Sequence, residues 1–253
     1  MKITRKKDGI DYIEFIRSIN GRIERMGDIA VSPKILTNTI LLRHDVDHDM
    51  EHALQFAYEE RKAGIQATYF LLHTAGYFDY SERFAAQCGK LADLGHEVGL
   101  HNNTITAWMQ SEKNETMTEI INKPLDFLRS TCGITVKGTS SHGDPLCYTH
   151  NYVNYEMWKE CPRERKNPDL GYAVFPLAHF GLTYEAYFLK RDAYLSDSGG
   201  IWRGVLKTEP DTDFSVDQND SPEVDAQRFV AAFNECLRGI LHLLVHPMWW
   251  DIN

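Results

Sequence analysis

No stretch of this 253-residue chain comes near the roughly 18 consecutive apolar residues that a membrane-spanning helix needs. Cysteine is sparse and scattered. Cys88, Cys132, Cys147, Cys161 and Cys236 form no C-x-x-C pair, which excludes a zinc-finger frame and leads us to expect free thiols in a reducing compartment. Positive charge is in deficit, with 27 Lys and Arg against 36 Asp and Glu and a net charge of -9. That balance argues against nucleic acid or an anionic membrane as partner. The opening segment MKITRKKDGIDYIEF is basic but lacks the apolar core of a secretory signal, so a cytoplasmic location is expected. Internal repeats, low-complexity tracts and linkers are also missing, and one domain over residues 1–253 is expected.

The most informative stretch present is LLRHDVDHD, Leu41 to Asp49. An apolar run, Thr39 to Leu42, leads straight into Arg43, His44, Asp45, Asp47, His48 and Asp49. Charges beside a core must be paired, hydrogen-bonded or bound to metal. Asp45 and Asp47 are two apart, so on a strand they share a face. One of them is then available to hold a cation and the other to take a proton. His44 and His48 point the opposite way, and structural hydrogen bonding is expected of them.

Around this stretch the chain alternates short apolar strands with amphipathic helices. Helices are expected over 11–25, 50–63, 81–94, 116–131 and 226–238. Strands are expected over 39–47, 66–72, 97–101, 134–138, 193–197 and 240–247. Gly64, Gly95 and Gly133 stop helices, Ser81 caps one, and Pro124 is a kink site. His96, at a helix end, is expected to pack there. Residues 147–190 are aromatic-rich and irregular, and the acidic stretch 209–225 reads as a surface loop. Such alternation implies a parallel sheet with covering helices, open or closed into a barrel.

Sites in parallel α/β folds form beyond the carboxyl ends of the strands. Here those ends carry Asp45 and Asp47, His73, His101, Ser141-His142, Asp197 and His246. Six strand ends bearing metal ligands or proton carriers make a site at that rim the expectation.

The order HDVD, GHEVGLH (Gly95 to His101), a polar loop after a strand, SDSGGIW (Ser196 to Trp202) and LLVH (Leu243 to His246) resembles the NodB-homology polysaccharide deacetylases. More narrowly, it resembles the deacetylase-like proteins of bacterial O-antigen clusters. The resemblance runs from about Thr39 to Pro247. It implies a distorted (β/α) barrel of about seven strands and a metal-dependent amide or ester hydrolysis on an N-acylated sugar or sugar nucleotide. It also implies roles. Asp45 matches the base carboxylate, Asp47 and His101 match metal ligands, His246 matches the general acid, and Asp197 matches the carboxylate that orients it.

Two positions depart from the family pattern. Ile105 stands where a second metal histidine is usual, and TSSHGD stands where an arginine usually holds the base. His142, in that loop, is expected to replace the missing ligand, giving Asp47, His101 and His142 around Zn²⁺ or a similar divalent ion. Arg43 or Arg203 is expected to replace the arginine. Ser141, Trp202 and Arg203 are expected at the substrate, with Trp202 and the pair Trp249-Trp250 placed to stack on a sugar ring. The competing readings are a DxD sugar-nucleotide transferase, a haloacid-dehalogenase-type phosphatase, and a non-catalytic carbohydrate-binding protein on a degenerate deacetylase fold. The first two leave the later strand-end histidines without a role.

Overall fold

The computed structural model describes residues 2–31, 38–207, 221–236 and 239–253. Most of the expected acidic loop at 209–225 therefore lies outside the described residues. The chain divides into two compact units, Met1–Tyr69 with Leu94–Glu97 and Lys190–Asn253, and Phe70–Asp93 with Val98–Leu189.

The chain opens with β1 (Ile3–Arg5), α1 (Tyr12–Ser18), β2 (Arg22–Glu24), α2 (Met26–Val31) and β3 (Thr39–Val46). The helix expected over 11–25 ends at Ser18. Asn20-Gly21 breaks it, and Ile23 instead pairs with Ile40 in a parallel β2–β3 ladder. Gly21 permits this approach, because a Cβ there would lie 2.9 Å from the Asn38 carbonyl oxygen. Next come α3 (Met50–Lys62), β4 (Thr68–Leu72), α4 (Glu82–Asp93) and β5 (Glu97–Asn102). Their bounds fall where the caps and the left-handed Gly64 and Gly95 predict. Strands β4 and β5 begin in the first unit and end in the second.

The second unit continues with α5 (Thr104–Gln110), α6 (Met117–Asp126), β6 (Gly138–Ser141), α7 (Pro145–His150) and β7 (Tyr184–Glu185). Thr116 and Glu119 form a capping box on α6, whose expected run to Thr131 continues past Pro124 as a π-helical turn over Phe127–Thr131. The strand expected at 134–138 lies later, at 138–141. Gly138 is needed there because a Cβ would collide with the Tyr184 ring. Parallel pairing joins β5 to β6 and β6 to β7.

The chain closes with β8 (Ala193–Ser196), β9 (Arg203–Leu206), α8 (Ala226–Glu235), β10 (Ile240–Val245) and β11 (Trp250–Ile252). Strand β10 lies between β3 and β8, parallel to both, while β9 runs antiparallel on β8. Every residue of β3 and β10 is buried, the pattern of parallel strands covered on both faces. Helices alternate with parallel strands in both units, which is the α/β class expected of a distorted (β/α) barrel.

Burying β3 brings His44 into the core opposite Arg43 and Asp45. Its Nδ1 donates to the Val245 carbonyl (3.0 Å), and its Nε2 lies 2.9 Å from Glu60 Oε1. Tyr69 donates to the other Glu60 oxygen at 2.6 Å, and Tyr12 donates to Oε1. His96 packs beside them, accepting from Ala67 N and donating to the Ala57 carbonyl. Burial alone would raise the Glu60 pKa, but His44, His96 and the Tyr12 hydroxyl outweigh it and hold the carboxyl below its ordinary range. A carboxylate with a lowered folded-state pKa stabilises the fold above the ordinary carboxylate range and loses that contribution as pH falls through the range. Glu60→Gln is expected to destabilise the protein by about 3 kcal/mol at neutral pH. Urea unfolding at a series of pH values checks this, and the gap from the unsubstituted protein should narrow as the solution is acidified.

Candidate active site

In the first unit the period of two along β3 places Arg43 and Asp45 on one face. Arg43 donates through Nε (3.1 Å) and Nη2 (2.7 Å) to the two Asp45 oxygens, with the side chains 0% and 2% exposed. This bidentate pair aligns the carboxylate in the guanidinium plane. Arg43 thus makes the contact to Asp45 that sequence reasoning assigned to Arg43 or Arg203. Arg203, on β9, donates instead to the Ser221 carbonyl at 3.1 Å. On the far side of Arg43, His242 Nε2 lies 3.4 Å from Nη1. Burial, then Arg43 and Arg191, keep that imidazole neutral by pushing its pKa well down.

Just beyond β8 and β10 stand Asp197 and His246. Asp197 Oδ1 accepts from His246 Nδ1 (2.7 Å) and from the His246 backbone N–H (2.9 Å), while Oδ2 accepts from Trp250 Nε1 (2.8 Å). A buried carboxylate with three donors is fixed in orientation, and it fixes the imidazole in turn. His246 Nε2 points to the same side as Asp47, 3.9 Å from Oδ2. Burial lowers the His246 pKa. The hydrogen bond and charge of Asp197, with Asp47 and Asp45 behind it, more than reverse this and raise it to about 9. The ring is therefore an imidazolium at neutral pH, a proton donor held by one carboxylate and facing another.

In the second unit the β5–β6 register sets His101 opposite Ser140 and Asn102 opposite Ser141. His142 follows β6, and its N–H donates to the Asn102 carbonyl at 2.8 Å. Adjacent parallel strands thus carry both histidines to the same end. His101 Nδ1 donates to the Ser140 carbonyl (2.8 Å), so its lone pair is on Nε2. That nitrogen lies 3.1 Å from His142 Nδ1, with the rings near perpendicular at 82°. Two imidazole nitrogens on one cation at ~2.0–2.1 Å, subtending ~90–110°, are about 2.9–3.4 Å apart. The pair fits a divalent ion with the His101 tautomer already set. Without an ion the same contact is an N–H···N hydrogen bond.

His73, just after β4, is buried, its Nε2 accepting from the Asn103 N–H at 2.9 Å. Burial, then His101 and His142, push its pKa down to about 3, so it is a neutral acceptor that fixes the turn after β5. Ile105 is fully buried in the first turn of α5.

Of the residues expected at the substrate, Ser141, Trp202 and Trp250 are buried. Ser141 gives its N–H (3.1 Å) and hydroxyl (3.2 Å) to the buried Glu185 carboxylate. Trp202 is 5% exposed, packed on Phe15 and Trp250 with the Arg5 guanidinium 4.8 Å over its ring. Trp250 is fully buried as the third donor to Asp197 rather than a stacking platform. Nothing local in the sequence marks Trp250, because its partner is 53 residues away.

No family model and no curated protein matches the sequence. Solved structures resemble the fold. The catalytic domain of a peptidoglycan N-acetylglucosamine deacetylase from Eubacterium rectale is 11% identical, with a TM-score of 0.43 over 83% of this chain and 76% of that one. A CE4 domain of a multidomain xylanase from the hindgut metagenome of Trinervitermes trinervoides is 17% identical, with a TM-score of 0.29 over 44% of this chain. The match spans only 52% of that domain's length. A CE4 family pseudoenzyme from Bacillus anthracis is 12% identical, with a TM-score of 0.37 over 85% of this chain and 59% of that one.

Asp197→Asn removes the charge that holds the His246 proton. In the metal-free protein, an NMR titration is expected to show the His246 pKa falling from about 9 to the ordinary imidazole value of about 6.5 or lower.

Proposed function

We propose that this protein is a metal-dependent carbohydrate deacetylase, a single deacetylase-like domain over 1–253. It removes an acyl group, N-acetyl by preference, from a sugar or sugar nucleotide used in surface-polysaccharide (O-antigen) assembly in the cytoplasm. The observation that carries the reading is the His101–His142 pair, two imidazole nitrogens 3.1 Å apart with the His101 tautomer fixed for ligation. Asp47 supplies the third, charged ligand, and the ion is Zn²⁺ or one of similar preference.

When bound, a divalent cation polarises an acyl carbonyl and lowers the pKa of a water. The chain's own groups do the rest. Asp45, aligned by Arg43, accepts the proton of the attacking water. His246, kept charged by Asp197, gives its Nε2 proton to the departing amine nitrogen, or to the oxygen if the bond is an ester. The buried Asp197 and Trp250 keep that imidazolium from turning away. Acid–base help of this kind is worth about 10²–10⁴-fold.

The test is acetate release from a panel of N-acetylated sugar nucleotides by Zn²⁺-loaded protein. Release is expected, with His246→Ala lowering kcat by about 10²–10⁴-fold. Sugar binding without release, with metal retained, would instead favour the non-catalytic carbohydrate-binding alternative. His142→Ala should reduce bound metal as much as His101→Ala, read by elemental analysis. Unchanged metal in His142→Ala removes it from the ligand set.

A further inference from the structure

Asn154 takes no part in the chemistry above, yet it is fully buried and its side-chain amide is bonded on both sides. Its Oδ1 accepts from the backbone N–H groups of Ile105 (3.0 Å) and Thr106 (3.4 Å) in the first turn of α5. Its Nδ2 donates to Asn103 Oδ1 (2.9 Å), to the His142 carbonyl (3.0 Å) and to Thr106 Oγ1 (3.3 Å). The amide orientation is forced, since backbone N–H groups only donate and the His142 carbonyl only accepts.

A helix start leaves N–H groups without intrahelical partners, and the N-cap side chain normally serves them. Asn103, the N-cap of α5, makes no such bond. It spends its amide on Thr74 Oγ1 (3.1 Å) and on Asn154. The cap of α5 therefore comes from 49 residues further along the chain, and the same side chain reaches across to His142. The His142 backbone is held at both ends, its N–H by the Asn102 carbonyl (2.8 Å) and its carbonyl by Asn154 (3.0 Å).

We infer that Asn154 is a positioning residue that ties the buried first turn of α5 to the His142 backbone and so sets His142 Nδ1 against His101 Nε2. The device sits where the family's ligand is missing. Ile105 contributes only its backbone N–H to the amide that fixes the loop bearing the substitute histidine. This rests on His142 being a metal ligand. Partners that orient a ligand typically contribute 10–100-fold to metal affinity.

Asn154→Asp separates the two roles, since a carboxylate keeps the acceptor for α5 and loses the donor to His142. The readouts are Co²⁺ affinity by chelator competition and the visible Co²⁺ spectrum, measured beside thermal unfolding on the full chain. Asn154→Asp is expected to weaken Co²⁺ binding about 10–100-fold and to alter the spectrum. Asn154→Ala, which leaves no buried carboxylate, is read in the same way should Asn154→Asp not fold. Tyr152→Phe, which removes a buried hydroxyl bonded to Thr106 Oγ1 without taking a partner from Asn154, should lower Tm and leave Co²⁺ affinity unchanged. If His142→Ala weakens binding and neither Asn154 variant does, the positioning role is overturned alone. If His142→Ala binds Co²⁺ normally, the ligand reading and this one fall together. If Tyr152→Phe weakens binding as much as Asn154→Asp, the effect is general loosening and the inference fails.

Discussion

The period of two along β3 is the constraint on which the first unit depends. The strand is buried throughout, yet it carries Arg43, His44 and Asp45 in succession. Alternation sends Arg43 and Asp45 to one face and His44 to the other. Each face must then supply its own counter-charge, because an unmatched buried ion is far costlier than a matched one. One face closes on itself as the Arg43–Asp45 fork. The other recruits Glu60 from α3 and the hydroxyls of Tyr12 and Tyr69. A slip of one residue would exchange the faces and strand both sets of charges.

Two buried histidines, one in each unit, show how neighbouring groups reinforce or reverse what burial does to protonation. His73 and His246 are both buried, and burial pushes both toward the neutral ring. Beside two further imidazoles His73 falls to about 3, while beside Asp197, Asp47 and Asp45 His246 rises to about 9. One is thereby fitted to accept a backbone hydrogen bond and the other to hold a transferable proton. The separation needs no special residues, only carboxylates at the ends of β3 and β8 in the first unit and histidines at the ends of β5 and β6 in the second.

Much of the fold was legible because strand ends and helix stops are local signals. Gly64 and Gly95 ended helices where left-handed backbone was needed, and the apolar runs before Asp45, His101 and His246 are strands. The misreadings have a common origin in partners distant along the chain. The helix expected through Arg25 gave way at Gly21 because Ile23 finds Ile40 across a ladder. Strand β6 is placed by Tyr184 against Gly138, and β9 by pairing with β8. Helix α5 has a short apolar pattern and a cap supplied by Asn154. Of the candidate site residues, the Asp197–His246 pair could be anticipated from the motif order. Ser141 and Trp202, which have exposed-looking chemistry in sequence, are occupied by Glu185, Phe15 and Trp250, contacts that composition cannot reveal.

The central claim is that two adjacent strand ends supply both imidazoles of a metal site despite Ile105. X-ray absorption at the zinc edge on Zn²⁺-loaded protein tests it most directly, because scattering from imidazole rings can be counted. The account predicts two imidazoles with the remaining donors oxygen, and one imidazole after His142→Ala. A single imidazole in the unsubstituted protein, or sulfur from a cysteine in the first coordination sphere, would contradict it.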